Sequence, residues 1–375
     1  MMREMDLVGR SSLSAAFPTT GILHVQDRVS AHRCFWNGEG PSLLLIPASV
    51  QPLYDTSEYK RRFGDPELMW QAEMSRAREV IDWPTDGLPT VRPNLGVVFI
   101  PAMAGLDYEI REDQMPWPGH PLSREAIRRI PTIDITTAET IKLALRFYEI
   151  HRRWGGTDVF AYSPDTQGVF DIAHLLYREP ILYELVEDPG WIRELMSTSL
   201  DLYLRASILI KSAIGENARE MVHGHGTPQG VFFTTAGVRI SEDTPTLLSP
   251  RAIETWVLPY IEKAAAPFGG AFIHYCGRHK FFFEALCRME SVRAIDLGNS
   301  ESYDPSWLLK HCADSGTVLY SRLPAHTGET WKAYTIRLGN LVADTGARVI
   351  LRPTTWPDDR RSCEEMLALW HNLTR

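Results

Sequence analysis

The side chains best suited to chemistry lie in Ala271-Phe272-Ile273-His274-Tyr275-Cys276-Gly277. If this run is a strand, His274 and Cys276 are two residues apart and share one face. At the C-terminal end of a strand in a parallel barrel, that face opens onto the mouth where such enzymes keep their sites. An imidazole beside a thiol offers the N and S ligands that zinc takes at about 2.0–2.3 Å, or a Cys–His nucleophile pair. The structural alternative is a small buried Cys next to a hydrogen-bonded core His. A second cluster, Met221-Val222-His223-Gly224-His225-Gly226, puts His223 and His225 on one strand face, with two glycines that allow close approach. His225 is a candidate catalytic residue, and surface decoration is the alternative. In Tyr162-Ser163-Pro164-Asp165-Thr166-Gln167-Gly168, Asp165 could act as general base, proton relay or ligand, or simply close an Asx turn. Glu242 and Asp243 sit in a turn whose default reading is a solvated acidic one. Asp296, Arg322 and Arg352 each end a strand candidate, and the two arginines suit a substrate carboxylate or phosphate.

The elements that must position these residues read as an alternation. Apolar or β-branched runs at Ser42–Ala48, Gly96–Ala102, Asp158–Pro164, Glu220–His225, Ala271–Cys276, Arg293–Gly298, Val318–Leu323 and Arg348–Pro353 are strand candidates. Helical periodicity fills Ala138–Trp154, Pro189–Ile214, Pro250–Pro267, Lys280–Met289, Pro305–Ser315, Thr327–Asp344 and Arg360–Leu373. From residue 271 onward each strand candidate is followed by one helix, the rhythm of βα units in a parallel sheet. The fold class expected is α/β, a (β/α)8 TIM-type barrel with inserted helices: residues 1–40 form an irregular N-terminal extension and 41–375 one barrel domain. Three prolines make Met115–Pro121 a rigid loop rather than helix or inner strand.

Composition narrows the function classes. The chain has 375 residues and a net charge of −8, which disfavours broad attraction to nucleic acid or anionic lipid. Apolar stretches are about half the roughly 20 residues a membrane span needs, and the N-terminus lacks the apolar core of a secretory signal. Five scattered cysteines without a CxxC pair point to a reducing compartment, so a cytoplasmic location is expected. No GxGxxG after a strand, GxxxxGK[ST], GxSxG or HExxH is present, which leaves Rossmann redox, phosphate-loop and α/β-hydrolase chemistry without support.

Several runs resemble the uroporphyrinogen decarboxylase superfamily. They are Glu242-Asp243-Thr244 with Leu248-Ser249-Pro250, Val257-Leu258-Pro259-Tyr260, Phe268-Gly269-Gly270 and His274-Tyr275-Cys276-Gly277. Pro164-Asp165-Thr166-Gln167-Gly168-Val169-Phe170-Asp171-Ile172-Ala173, Glu187-Asp188-Pro189 and Pro93-Asn94-Leu95-Gly96 look similar too, so the likeness covers roughly residues 60–355. The resemblance implies a (β/α)8 barrel and two competing reactions. The chain lacks the Arg-rich RQAGR run of the decarboxylases. At His274 and Cys276 it is similar to the zinc-dependent, corrinoid-linked methyltransferases, which move a methyl group from methylcobalamin to a thiol. Those enzymes place another Cys near the last barrel strand, where this chain has Arg352-Pro353-Thr354-Thr355. The resemblance therefore implies zinc held by His274, Cys276 and a third group, Glu242 first among His223, His225 and Asp165. It also implies a corrinoid carrier protein as partner, and a homodimer is the expected association. The alternatives are a decarboxylase or lyase on a porphyrinogen or other carboxylated molecule, using Asp165 with Arg322 or Arg352, and a non-catalytic barrel that binds a corrinoid or tetrapyrrole.

Overall fold

The strands that form are short, and most carry apolar residues on both faces, as buried parallel strands do. The computed structural model describes residues 23–48, 58–112 and 114–375. In chain order the strands are β1 Leu43–Leu44, β2 Leu88–Val91, β3 Tyr108–Glu109, β4 Trp117–Pro118, β5 Phe160–Ala161, β6 Met221–His223, β7 Gln229–Phe233, β8 Val238–Ser241, β9 Ala271–Tyr275, β10 Val292–Leu297, β11 Val318–Ser321 and β12 Val349–Leu351. Six of them build a parallel sheet in the order β1-β12-β11-β10-β9-β8, and β5-β2-β7-β6 build a mixed sheet of four. The fold is mixed α/β with helices covering the parallel sheet. Among the described residues no helix is long and apolar enough to cross a membrane.

One face of the sheet buries Leu43, Phe272, Ala294, Val318, Tyr320 and Ile350 together with Met221, Val231 and Phe233 of the β6–β7 hairpin. The other face buries Ile273, Tyr275, Ile295, Leu297, Leu319 and Leu351 against the helices. Alternation along each strand therefore sends every second residue to the face that packs on the β6–β7 hairpin.

Several expectations need correction. The apolar run 96–102 enters the helix Phe99–Met103, because a short apolar run fits a buried helix as well as a strand. The strand of that region is β2, whose Pro89 and Thr90 disguise it. The 220–225 run does form β6, but as half of an antiparallel hairpin with β7 rather than as a βα unit. Strand β8 goes unrecognised in the sequence because Arg239 and Ser241 point inward. Trp117 and Pro118 of the Pro-rich loop pair with Tyr108 and Glu109 in a small ribbon, leaving Trp117 68% exposed.

The expected N-terminal extension contains a regular helix, Val25–Trp36, while its first 22 residues lie outside the described part, as do 49–57, which follow the first strand candidate. This helix is anchored by polar groups. Arg28, fully buried, donates to the carbonyls of Val80 and Ile81 at the end of the helix Pro66–Ile81, and to Leu23, Trp83 and Gly87. A cation there satisfies the orphan carbonyls and opposes the helix dipole. His32 is equally buried: its Nδ1 accepts the Phe232 amide at 3.0 Å and its Nε2 donates to the Asp86 carbonyl at 2.8 Å. Those partners fix the neutral tautomer, and burial lowers the His32 pKa from 6.5 to about 4.

A folded-state pKa below the unfolded value means stability is complete above pH 6.5 and is lost as pH falls toward 4. We expect His32 to cost up to about 3 kcal/mol across that interval, at about 1.4 kcal/mol per pKa unit. Urea unfolding of the native chain between pH 7 and 4 checks this, and His32→Gln is expected to flatten the decline.

Candidate functional site

Register explains how the site assembles. Parallel pairing aligns Ser241 of β8 with His274 of β9, His274 with Asp296 of β10, Asp296 with Tyr320 of β11, and Tyr320 with Ile350 of β12. Residues so paired point to the same side of a sheet, and those two positions further along point there again. Continuing each strand by two residues gives a second row: Asp243, Cys276, Gly298, Arg322 and Arg352. The strands therefore present two stacked rows of side chains at their C-terminal ends.

In the first row the Asp296 carboxylate accepts a hydrogen bond from His274 Nδ1 at 2.8 Å, and His225 Nδ1 lies 3.2 Å from the same oxygen. His225 belongs to the turn after β6, where its φ of 45° is left-handed, a conformation that costs a non-glycine residue about 1 kcal/mol or more. Its ring lies over that of His274 with centroids 4.3 Å apart. Burial, and then the neighbouring His274, push the His225 pKa far down, so this ring is neutral. His223 is buried beside it, with Nδ1 accepting the His225 amide at 3.1 Å and Nε2 lacking a hydrogen bond. Burial would raise the Asp296 pKa, but His274 and the guanidinium of Arg352 hold it below the ordinary value.

With Nδ1 committed to Asp296, His274 turns Nε2 toward the second row. Cys276 Sγ lies 3.5 Å from that nitrogen and Asp243 Oδ1 lies 3.9 Å from it. Cys276 is exposed, and a partial loss of water together with the carboxylates of Asp243 and Asp296 pushes its thiol up to about 12. Asp243 is positioned from both sides. Its backbone N–H and that of Thr244 donate to the Asp171 carboxylate at 2.7 and 2.9 Å, and its own Oδ1 accepts the Cys276 amide at 2.6 Å. Gly298 leaves room for the thiol, since a Cβ there would stand 2.5 Å from Cys276 Sγ.

Among the described residues two groups of side chains could thus hold a cation: His225, His274 and Asp296, and Asp243, His274 and Cys276. The contact of His274 with Asp296 is made through Nδ1, whereas Nε2 faces Cys276 and Asp243. Ligands on one tetrahedral zinc, bound at about 2.0 and 2.3 Å, lie about 3.5 Å apart. The second group matches that spacing between N and S. In the first, 2.8 Å between His274 and Asp296 is a hydrogen-bond distance, the usual contact behind a metal-bound imidazole.

The residues singled out in the sequence separate accordingly. His274, Cys276 and His225 come together. Glu242, expected as a ligand, points to the opposite side from Asp243. It is fully buried and its two oxygens accept the Phe170 and Asp171 amides, both at 3.1 Å, at the start of the helix Val169–Tyr177. Burial and the neighbouring Asp171 raise its pKa strongly, and burial beside Asp243 brings Asp171 up to about 7. Asp165 forms an ion pair with Arg239 of β8. Burial opposes its ionisation, but Arg239 and Arg92 outweigh burial and keep the pKa low. Arg322 donates to the Gly298 carbonyl at 3.3 Å and borders a cavity together with Arg352. Asp243, and the role of Asp296 behind His274, are the parts of the site that the sequence reading lacks. Period-2 alternation from Ser241, once paired with His274, is the signal that would have found Asp243.

No protein-family model matches the sequence, and no curated protein matches it. Among solved structures, the chain shares the fold of a methyltransferase from Methanosarcina mazei, with a TM-score of 0.65 at 13% identity, over 93% of this chain and 98% of that one.

Because Glu242 serves the backbone of a buried helix start, Glu242→Ala is expected to lower stability by about 2–4 kcal/mol through two orphaned amides. Denaturant unfolding at pH 7.5 measures this.

Proposed function

We propose that the chain is a zinc-dependent methyltransferase of the uroporphyrinogen decarboxylase superfamily, moving a methyl group between a corrinoid carrier and a thiol. The observation that carries this reading is the 3.5 Å approach of Cys276 Sγ to His274 Nε2, with Asp243 as the third ligand and Asp296 behind the imidazole. The shared fold with a methyltransferase supports the class. We also read the two sheets as one closed barrel spanning 41–375. The Asp86 amide donates to the Leu44 carbonyl at one seam, and Gln167 bridges Ser241 at the other.

The donor set fits the ion: one imidazole nitrogen, one sulfur and one carboxylate leave a fourth position open, as in catalytic zinc sites. When bound there, zinc would lower the pKa of a coordinated substrate thiol and supply a thiolate at neutral pH. The chain's own residues do the positioning. Asp296 holds His274 in the tautomer whose Nε2 carries the lone pair. His225 packs against the imidazole as a neutral ring, so the site gains no extra positive charge from it. Asp171 fixes the backbone of Asp243 and thereby the direction of its carboxylate. The decarboxylase reading asks Asp165 to exchange a proton, which its ion pair with Arg239 opposes.

Protein purified without added metal is expected to contain about one zinc per chain by elemental analysis. Cys276→Ser and Asp243→Asn should each bring this below about a tenth, and Asp296→Asn should weaken zinc affinity about 10–100-fold with the ligands intact. Native protein with less than about a tenth of an equivalent, unchanged in Cys276→Ser, would remove the proposal. Loss of methylcobalamin absorbance on adding a thiol and the zinc-loaded protein checks the reaction itself.

A further inference from the structure

The second row of strand-end residues finishes in two guanidiniums that are not candidate zinc ligands. Arg322 and Arg352 border a cavity of about 360 Å³ whose apolar wall includes Leu45 and Trp356. Arg352 is only 7% exposed, lies against the Tyr320 ring with 5.7 Å to its centroid, and has a buried Nη1 with no hydrogen bond. Arg322 gives one N–H to the Gly298 carbonyl. Among the described residues neither guanidinium forms an ion pair with a carboxylate. Arg76 and Glu79 also line the cavity and add one charge of each sign, and Arg76 is paired with Glu73 at 3.6 Å.

A buried guanidinium whose N–H donor is unmet is costly unless a hydrogen-bond acceptor completes it, and an anion does so best. The planar fork of arginine matches a carboxylate. The cavity lies at the small end of the roughly 300–1,000 Å³ range of ligand sites, and the aromatic and aliphatic wall calls for an apolar body behind the charged head.

We propose that this cavity binds a small aromatic carboxylic acid, its carboxylate held by Arg322 and Arg352 and its ring against Trp356 and Leu45. This binding does not rest on the transferase reading and needs no metal.

Isothermal titration of the purified full chain with benzoate, benzamide and inorganic phosphate tests this, before and after chelator treatment. Benzoate is expected to bind in both conditions, at least about tenfold more tightly than benzamide, which lacks the charge, and than phosphate, which lacks the ring. Arg352→Gln and Arg322→Gln should each weaken benzoate about tenfold or more. Thermal unfolding establishes which variants are folded, and Arg322→Gln, on the more exposed residue, decides the matter if Arg352→Gln does not fold. Equal affinity for benzamide, affinity for phosphate matching that for benzoate, or undiminished benzoate binding by a folded variant would overturn the assignment. So would benzoate binding that vanishes with chelation, because the anion would then be a metal ligand. Zinc content is measured separately, so failure here leaves the transferase proposal standing, and the reverse also holds.

Discussion

The hydrogen bond from His274 Nδ1 to the buried Asp296 carboxylate is the constraint on which the site depends. It selects the tautomer, fixes the plane of the imidazole and leaves Nε2 as the nitrogen facing Cys276 and Asp243. It also gives the buried carboxylate its compensating partner, without which a charge in that interior would be costly. If the bond were absent, the ring would be free to turn and the nearby sulfur would have no fixed counterpart.

The sheet makes that bond a matter of register. Because β8, β9 and β10 pair in parallel without slippage at their C-terminal ends, Ser241, His274 and Asp296 stand side by side. A one-residue shift would send His274 to the helix side. Behind the sheet a second polar layer serves the first: Glu242 satisfies the start of the helix Val169–Tyr177, and Asp171 from that helix reaches back to hold Asp243. Neighbouring residues 242 and 243 thus face opposite ways, one holding the scaffold and one holding the site.

Much of this was legible in the sequence where regular alternation carries the information. Strands β9 to β12 and the helices between them followed from apolar runs at even spacing, and the same-face placement of His274 and Cys276 followed from their separation. The failures share one physical origin. Where a strand's inward face is polar, as in β8 with Arg239 and Ser241, or where proline interrupts it, as in β2, the hydrophobic pattern that marks a strand is missing. The sequence alone does not favour Asp243 over Glu242, because side-chain direction depends on the register of β8, which its polar inward face hides. The partnership of His225 with Asp296 joins residues far apart in the chain and leaves no local trace.

Zinc K-edge X-ray absorption on the metal-loaded protein tests the central claim most directly, because it distinguishes the two groups that share His274. The account predicts one sulfur scatterer at about 2.3 Å together with nitrogen and oxygen at about 2.0–2.2 Å. A shell of nitrogen and oxygen alone would move the ion to the His225, His274 and Asp296 side and contradict it.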